Sequence, residues 1–194
     1  SITPKKQPLN DTNTHFINNL EWTIYPDGTV VCQSVLLPRG NPLELLRLGY
    51  ELQLPANMGN VTYYGRGPEE NYADRKSGMP LGVYKTTARD SFFPYGRPQD
   101  CGNHEDTRWV AVTDDKGQGL LFGSVGAPFA FSAIPYTTTD LILANHPVEL
   151  PKTTDKTVLV LSSATRGLGG ASCGPGPMSR DIIKANKPYP LSFF

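Results

Sequence analysis

Glycine and proline recur along the whole sequence and leave few uninterrupted segments in which a long helix can form. The 19 glycines and 18 prolines together make 37 of the 194 residues, well above their share of about 12% in average proteins. Because these two residues are the least favourable in a helix interior, the sequence disfavours a helical bundle or a coiled coil. It favours a fold of short strands joined by turns.

The segments between these turns alternate apolar and polar side chains, as strands with one buried face do. Residues 20–25 and 29–37 flank a turn that contains Gly28, which predicts a hairpin. A second hairpin is predicted from residues 107–113 and 119–123. Further strands are predicted over residues 47–54, 61–64, 129–133, 156–162 and 189–194.

Helical signal is limited to one short segment. Thr138, Thr139 or Asp140 is predicted to cap a turn that runs to residue 145 and stops before Pro147. Strands at intervals of roughly 8–12 residues, separated by turns, predict an all-β sandwich. Since no linker or repeat divides the chain, residues 1–194 are predicted to form a single domain.

Two long segments, 65–108 and 167–177, lack a regular pattern. In a compact domain, irregular segments of this length commonly carry function. We therefore expect functional side chains in them. Trp22 and Trp109 lie on alternating strands instead, and we predict that they belong to the core.

The charge balance argues against two classes of partner. Lysine plus arginine and aspartate plus glutamate each number 18, which gives no electrostatic reason to expect nucleic acid or an anionic membrane. No segment approaches the roughly 18 apolar residues of a membrane helix. The N-terminus lacks an apolar signal sequence and a starting Met, which suggests a cut or processed chain and leaves cytoplasmic and periplasmic locations both open.

The cysteines do not form a disulfide framework or a zinc pattern. Cys32, Cys101 and Cys173 are odd in number and widely spaced, without a Cys-x-x-Cys pair. Because free cysteines are among the most buried residues, all three thiols are expected to be buried or partly buried. One intramolecular disulfide stays open as an alternative.

Residues 64–75, with the sequence YGRGPEENYADR, form the most polar run of the chain. The side chains of Arg66, Asn71, Asp74 and Arg75 offer guanidinium, amide and carboxylate groups that can hydrogen-bond sugar hydroxyls. The same groups can instead tie a long loop to its sheet, with Asp74 paired to Arg75 or to Arg66. We favour this structural network over sugar contacts.

Asn103 and His104 extend the set of candidate polar residues. Because Glu105 and Asp106 follow directly, acid–base chemistry or metal binding is conceivable at His104. Ligands within three consecutive residues of an extended chain rarely converge on one ion, however. We therefore expect a loop hydrogen bond at His104 and no metal site.

Four motifs, spread over most of the chain, carry a family resemblance. They are YGRGPEENY over residues 64–72 followed by Asp74 and Arg75, PYGRPQ over 94–99, FAFS over 129–132 and GLGG over 167–170. In this order they resemble the C-terminal small-chain domain of the large glycoside-hydrolase family that includes the bacterial β-galactosidases.

The resemblance implies an all-β supersandwich of the galactose-mutarotase-like type, mostly antiparallel, which lacks its N-terminal portion and is cut from a multidomain enzyme. The family's catalytic glutamates and metal ions belong to other domains, so no catalytic residue, metal ligand or cofactor is implied in this chain. Glu69 and Glu70 do not replace those glutamates, because neighbours on an extended chain point to opposite faces. The implied partners are a β-galactoside bound by the parent enzyme and the catalytic (β/α)₈ barrel, with a homo-oligomer as an open alternative.

The resemblance also assigns the segment after Gly169 and Gly170 to the rim of the active site. The best-known members of the family carry there, just before a proline, a tryptophan that stacks on the sugar. Cys173 holds that position in this sequence. The resemblance thus implies that Ser172 and Cys173 line the sugar subsite by a hydroxyl group and by packing, without stacking.

The leading hypothesis is a non-catalytic domain of a β-galactosidase that shapes the active-site rim and packs on the barrel. Two alternatives stay open, a free-standing carbohydrate-binding module and an enzyme of the aldose-epimerase type. Epimerisation needs a general base and a general acid on opposite sides of the sugar. His104, His146 and Glu149 are the candidates for these roles.

Overall fold

Eleven β-strands dominate the computed structural model, which describes residues 14–40, 44–170 and 173–194. A short helix, α1 (Thr138–Leu143), and two 3₁₀ turns at Pro147–Glu149 and Ser179–Asp181 complete the regular structure of these ranges, and none of these helices is long and apolar enough to span a membrane. The strands are β1 (His15–Ile24), β2 (Val30–Arg39), β3 (Arg47–Pro55), β4 (Asn60–Arg66), β5 (Leu81–Thr87), β6 (Asn103–Thr107), β7 (Trp109–Thr113), β8 (Gly119–Gly123), β9 (Phe129–Ile134), β10 (Lys156–Thr165) and β11 (Tyr189–Phe193).

The strands of the described residues form three antiparallel sheets. Their orders are β1-β2-β11, β3-β10-β9-β6 and β5-β4-β7-β8. The prediction of an all-β, mostly antiparallel sandwich is confirmed. The assignment to the galactose-mutarotase-like supersandwich type and the single-domain boundary stay predictions.

One apolar core joins the three sheets. It contains Cys32 from β2, Tyr63 from β4, Phe131 from β9, Leu159 from β10 and Phe193 from β11, all of them buried. Burying a large apolar side chain stabilises a fold by roughly 1.5–3 kcal/mol. The core is therefore the main force that holds the sheets against one another.

Both predicted hairpins are present. β1 pairs with β2 across a turn in which Gly28 adopts a φ of +89°, a conformation that favours glycine. β7 pairs with β8 across a turn that Asp114 closes. One carboxylate oxygen of Asp114 accepts hydrogen bonds from the amides of Lys116 and Gln118, each at 2.9 Å.

The segment 65–108 is not irregular throughout, and this part of the sequence-based prediction is wrong. It contains β5, whose apolar Leu81 and Val83 are 42% and 61% exposed, and β6, whose sequence NHEDT has no apolar pattern. Pairing with neighbouring strands, rather than hydrophobic periodicity, therefore specifies these two strands. The described part of the 167–177 loop contains no strand or helix, as predicted.

The helix forms in the predicted segment, but its cap is Thr137 rather than one of residues 138–140, and it ends at Leu143 rather than at residue 145. The Thr137 hydroxyl accepts a hydrogen bond from the Asp140 amide at 3.1 Å, and the Asp140 carboxylate accepts one from the Thr137 amide at 2.8 Å. This reciprocal pair is a capping box, which satisfies two amides at the helix N-terminus.

Burial of cysteine and tryptophan differs from the predictions at three positions. Cys173 is exposed, and Trp22, on the edge strand β1, is 51% exposed. Trp109 is half-buried and is not part of the apolar core described above, while Cys32 and Cys101 are buried as predicted. Burial raises the pKa of both buried thiols to about 11, which keeps them protonated and unreactive near neutral pH.

We expect Phe131→Ala to reduce the free energy of unfolding by about 3–5 kcal/mol. Phe131 is 1% exposed, and its ring packs against those of Tyr63 and His104, so truncation leaves a cavity. Urea denaturation measures the change. Phe16→Ala, at a position that is 52% exposed, is the control and should cost less than about 1 kcal/mol. Equal losses in the two variants would contradict the assignment of this core.

Candidate functional site

The candidate residues of the 64–75 run lie where β4 ends, next to β6. The two strands approach so closely that a Cβ atom at Gly65 would lie 2.5 Å from Thr107 Oγ1, which explains the glycine. The approach places Arg66, the last residue of β4, in one polar cluster with Asn103, the first residue of β6. We use the name β4–β6 cluster for the hydrogen-bonded group formed by Arg66, Asn71, Lys76 and residues 103–106.

Asn71 lies at the centre of the β4–β6 cluster and is fully buried. Its Nδ2 donates to the carbonyl oxygens of Arg66 and Glu69, each at 3.0 Å, and its Oδ1 accepts from the Glu105 amide at 2.8 Å. The Asn71 amide donates to the Asn103 carbonyl at 2.7 Å, and Asn103 Nδ2 donates to the Asn71 carbonyl at 2.8 Å. Every polar group of Asn71 is thus paired within the chain, as a structural role requires.

His104 is buried between two aromatic rings. Its ring centroid lies 4.4 Å from that of Tyr63 and 5.2 Å from that of Phe131. Its Nδ1 lies 3.0 Å from the Tyr63 hydroxyl and 3.1 Å from the Arg66 carbonyl oxygen. Because a carbonyl can only accept, we assign the hydrogen of the neutral ring to Nδ1. Burial lowers the pKa of His104 from 6.5 to about 4, so the ring is neutral at pH 7.

Arg66 forms its ion pair with Asp106, and the predicted pairing of Arg66 with Asp74 is wrong. Its Nε donates to Asp106 Oδ2 at 2.5 Å, and its Nη1 donates to the carbonyls of Lys76 and Met79 at 3.1 and 2.9 Å. Lys76 Nζ donates to the other Asp106 oxygen at 3.0 Å. Burial by itself raises the pKa of Asp106, but the hydrogen bonds from Arg66 and Lys76 outweigh it, and the pKa is lowered.

Glu105 joins the cluster to the third element at this end of the sheets, β10. Its Oε1 accepts from Asn103 Nδ2 at 3.0 Å and from the hydroxyl of Thr165, the last residue of β10, at 2.5 Å. Its other oxygen lies 3.8 Å from Lys76 Nζ. The sequence draws attention to Glu105 only as a neighbour of His104 and not as a site residue of its own, because its partner Thr165 is 60 residues away along the chain.

Glu70 fixes the segment that follows β5. Its carboxylate accepts hydrogen bonds from the hydroxyls of Tyr72 and Tyr95 and from the Gly102 amide, the last at 2.7 Å. Burial, together with the bond to Glu70, raises the pKa of Tyr95 to about 12. Glu70 was outside the predicted set, although it and Tyr95 both lie in motifs that carry the family resemblance.

Asp74 and Arg75 contact the 167–177 loop. Asp74 Oδ1 accepts from the Leu168 amide at 2.9 Å, and Oδ2 accepts from the Gly169 amide at 2.7 Å. Arg75 Nη2 donates to the Gly169 carbonyl at 3.4 Å. The predicted ion pair between Asp74 and Arg75 is therefore replaced by bonds to the loop backbone. Burial raises the pKa of Asp74, but the two amides outweigh it and the pKa is lowered.

Of the two predicted rim residues, only Cys173 lies within the part of this loop that the structure describes. Cys173 is exposed, while Ser172 lies outside the described residues. A hydrogen bond of 2.8 Å from the Gly170 amide to the Pro175 carbonyl closes the base of the segment that carries them.

An open cleft of about 460 Å³ lies at the opposite end of β4. None of the predicted site residues contributes to it; its lining includes Asn60, Thr87, Asp115 and Lys156. Within residues 14–40, 44–170 and 173–194, no group of three or more His, Cys, Asp and Glu side chains is arranged to hold a metal ion.

The sequence matches one protein-family model over residues 4–194, and that family is the β-galactosidase small chain. The chain belongs to this family. The family resemblance of the four motifs is thus confirmed.

Relatives of this small-chain sequence are named as β-galactosidases. It is 43% identical to β-galactosidase BgaC of Bifidobacterium adolescentis over 147 residues, which are 74% of this chain and 14% of that protein. It is 34% identical to a β-galactosidase of Halalkalibacterium halodurans over 176 residues, 89% of this chain and 17% of that protein. It is 40% identical to the β-galactosidase small subunit of Latilactobacillus sakei over 132 residues, 63% of this chain and 41% of that subunit. The small-chain sequence therefore spans less than half the length of each of these three relatives.

We expect Asn71→Ala in the small-chain sequence to lower the free energy of unfolding by roughly 3–5 kcal/mol. The substitution leaves the buried Glu105 amide and the partly buried Glu69 carbonyl without this partner, at about 1–3 kcal/mol for each. It also removes one of the two donors to the Arg66 carbonyl, of which the other is His104 Nδ1. Urea denaturation measures the loss. Asn19→Ala, at an exposed position on β1, should change stability by about 0.5 kcal/mol or less. A small effect at Asn71 would mean that water replaces its side chain.

His104 predicts a specific dependence of stability on pH. Its folded pKa of about 4 lies below the value of 6.5 for an unperturbed histidine, so between these two pH values only the unfolded chain binds the proton. The contribution of the neutral His104 ring to the free energy of unfolding is fully present above pH 6.5. It is lost as the pH falls toward 4, and the loss amounts to roughly 3 kcal/mol in total. Denaturation at a series of pH values should show that His104→Gln removes this slope. His146→Gln, on an exposed ring, should retain it. Asp74 and Asp106, whose pKa values are lowered from 3.8, contribute a slope only below about pH 5, so an unchanged slope above this pH in His104→Gln would refute the assignment.

Proposed function

We propose that this chain is the non-catalytic small-chain domain of a β-galactosidase, in which it packs on the catalytic barrel and shapes the rim of the active site. The observation that carries the proposal is the match of residues 4–194 to the small-chain family. The names of the relatives supply the reaction, hydrolysis of a β-galactoside, and their greater length leaves room for a separate catalytic unit.

The chemistry of the β4–β6 cluster agrees with a supporting role for this domain. In the β4–β6 cluster, Asp106 is held in an ion pair with Arg66 and Lys76, and Glu105 bonds Asn103 and Thr165. Carboxylates engaged in this way position strands and loops, whereas glycoside hydrolysis requires two carboxyl groups on either side of the scissile bond. We accordingly place the catalytic residues and the metal ions of the enzyme in other domains.

The aldose-epimerase alternative is not favoured. His104 is 4% exposed and lies between aromatic rings, where a sugar does not reach it. His146 and Glu149 form an exposed pair at 3.0 Å on a 3₁₀ turn, so they bond each other and do not face one another across a sugar. The free-standing carbohydrate-binding module is likewise not favoured, since the relatives are β-galactosidases.

The rim contact is tested at Cys173 in the full-length enzyme. An aromatic ring stacked on the sugar is worth roughly 1–3 kcal/mol, so Cys173→Trp should lower KM for an aryl β-galactoside by about fivefold or more. Gln118→Trp, in the β7–β8 turn at the opposite end of β4, is the control and should leave KM unchanged.

Two results would overturn the proposal. Unchanged kcat/KM in both Cys173→Trp and Cys173→Ala would mean that the loop does not reach the substrate. Sustained release of nitrophenol by the purified 194-residue chain alone would mean that the domain is itself catalytic.

A further inference from the structure

We propose that Asp74 is a positioning residue for β-galactoside hydrolysis, which acts by fixing the 167–177 loop over the active-site rim. This inference rests on the proposed function, since it takes the loop to contact the substrate. Asp74 itself does not touch the sugar in this proposal. It determines where the tip of the loop lies.

The carboxylate of Asp74 holds two consecutive backbone amides, one on each oxygen. Leu168 N lies 2.9 Å from Oδ1, and Gly169 N lies 2.7 Å from Oδ2. An ionised acceptor makes shorter and stronger hydrogen bonds than a neutral one. Because both oxygens are engaged, the plane of the carboxylate fixes the direction of the loop as well as its distance.

The loop backbone is shaped to receive this carboxylate. A Cβ atom at Gly167 would lie 2.7 Å from both Cγ and Oδ2 of Asp74, so only glycine permits the approach. The Gly167 amide donates to the Asp181 carbonyl at 2.8 Å, which holds the loop from its other side. Arg75 adds a bond to the Gly169 carbonyl at 3.4 Å.

The carboxylate is carried by a turn that is itself anchored in the protein. Tyr72 and Arg75 exchange backbone hydrogen bonds of 2.8 and 3.4 Å across Asp74. The hydroxyl of Tyr72 donates to Glu70 at 3.1 Å, and Asn71, one residue earlier, is the centre of the β4–β6 cluster. A continuous set of contacts therefore runs from the buried cluster through Asp74 to the loop.

The residues that Asp74 binds lead directly into the short segment that carries Cys173. The bond from the Gly170 amide to the Pro175 carbonyl closes the segment that carries Cys173 directly after the anchored residues 168 and 169. Asp74 therefore fixes the backbone from which this segment begins. A misplacement of about 1 Å at a group that contacts the substrate can reduce the rate up to a hundredfold. Asp74 therefore affects substrate binding although it does not itself touch the sugar.

The experiment compares Asp74→Asn with Asp114→Asn in the full-length enzyme. Asn at position 74 presents an N–H to one of the two amides, so one bond is replaced by a clash of donors. Asp114 also accepts two backbone amides, but in the β7–β8 turn at the other end of β4. We expect Asp74→Asn to raise KM for an aryl β-galactoside about tenfold with a smaller change in kcat, and Asp114→Asn to change neither.

Hydrogen exchange of the peptide that contains residues 167–177, measured by mass spectrometry, separates anchoring from catalysis. We expect exchange to be faster in Asp74→Asn and in Gly167→Ala, and unchanged in Asp114→Asn. Asp74→Glu keeps both acceptor oxygens, so its KM should lie between the value of Asp74→Asn and that of the unsubstituted enzyme. If Asp74→Asn is poorly folded, Gly167→Ala displaces the same carboxylate and gives a second measurement of KM and exchange.

The outcomes distinguish this inference from the proposed function. Unchanged exchange in Asp74→Asn and Gly167→Ala overturns Asp74 as the anchor, while the Cys173 variants can still support a rim contact. Faster exchange with unchanged kinetics overturns the positioning role and also counts against a loop that reaches the substrate. Equal losses in Asp74→Asn and Asp114→Asn would mean a general effect on stability and would overturn the inference as well.

Discussion

The buried side-chain amide of Asn71 is the interaction on which the polar half of this structure depends. It binds two carbonyls before it in the chain and the amide of Glu105 on β6, more than thirty residues later. A buried amide is costly unless all its hydrogen bonds are made. All the hydrogen bonds of Asn71 are made, so it holds β6 at a defined position within the sandwich. Hydrophobic burial alone does not fix that position, because the sequence of β6 is polar.

The neighbours of Asn71 follow from that arrangement. Once β6 lies against β4, the ring of His104 enters the core between Tyr63 and Phe131 and stays neutral. Asp106 then meets Arg66 on the outer side of the cluster. The turn after Asn71 carries Asp74 to the 167–177 loop. One buried amide thus connects the core of the domain to the loop through which we propose it contributes to an active site.

The sequence identified the polar residues of this site better than it identified their partners. Arg66, Asn71, Asn103 and His104 do meet in one cluster, but the pairing of Arg66 with Asp74 was wrong because the nearer carboxylate in space, Asp106, is forty residues away in the chain. The partners of Asp74 are the backbone amides of residues 168 and 169. Every non-proline residue has such an amide, so no side-chain pattern marks the ones that a carboxylate binds.

The sequence by itself determined the fold class, the hairpins and the family. Turn residues and alternation act over a few neighbours, and the motifs of the family are contiguous runs, so both can be recognised without coordinates. Only the tertiary structure decided that the NHEDT segment is a buried strand, that Trp22 lies on an exposed edge, and that Asp74 holds a loop more than ninety residues later. These features depend on which groups meet after the chain has folded, and distance in space is set by the pairing of the sheets rather than by distance along the sequence.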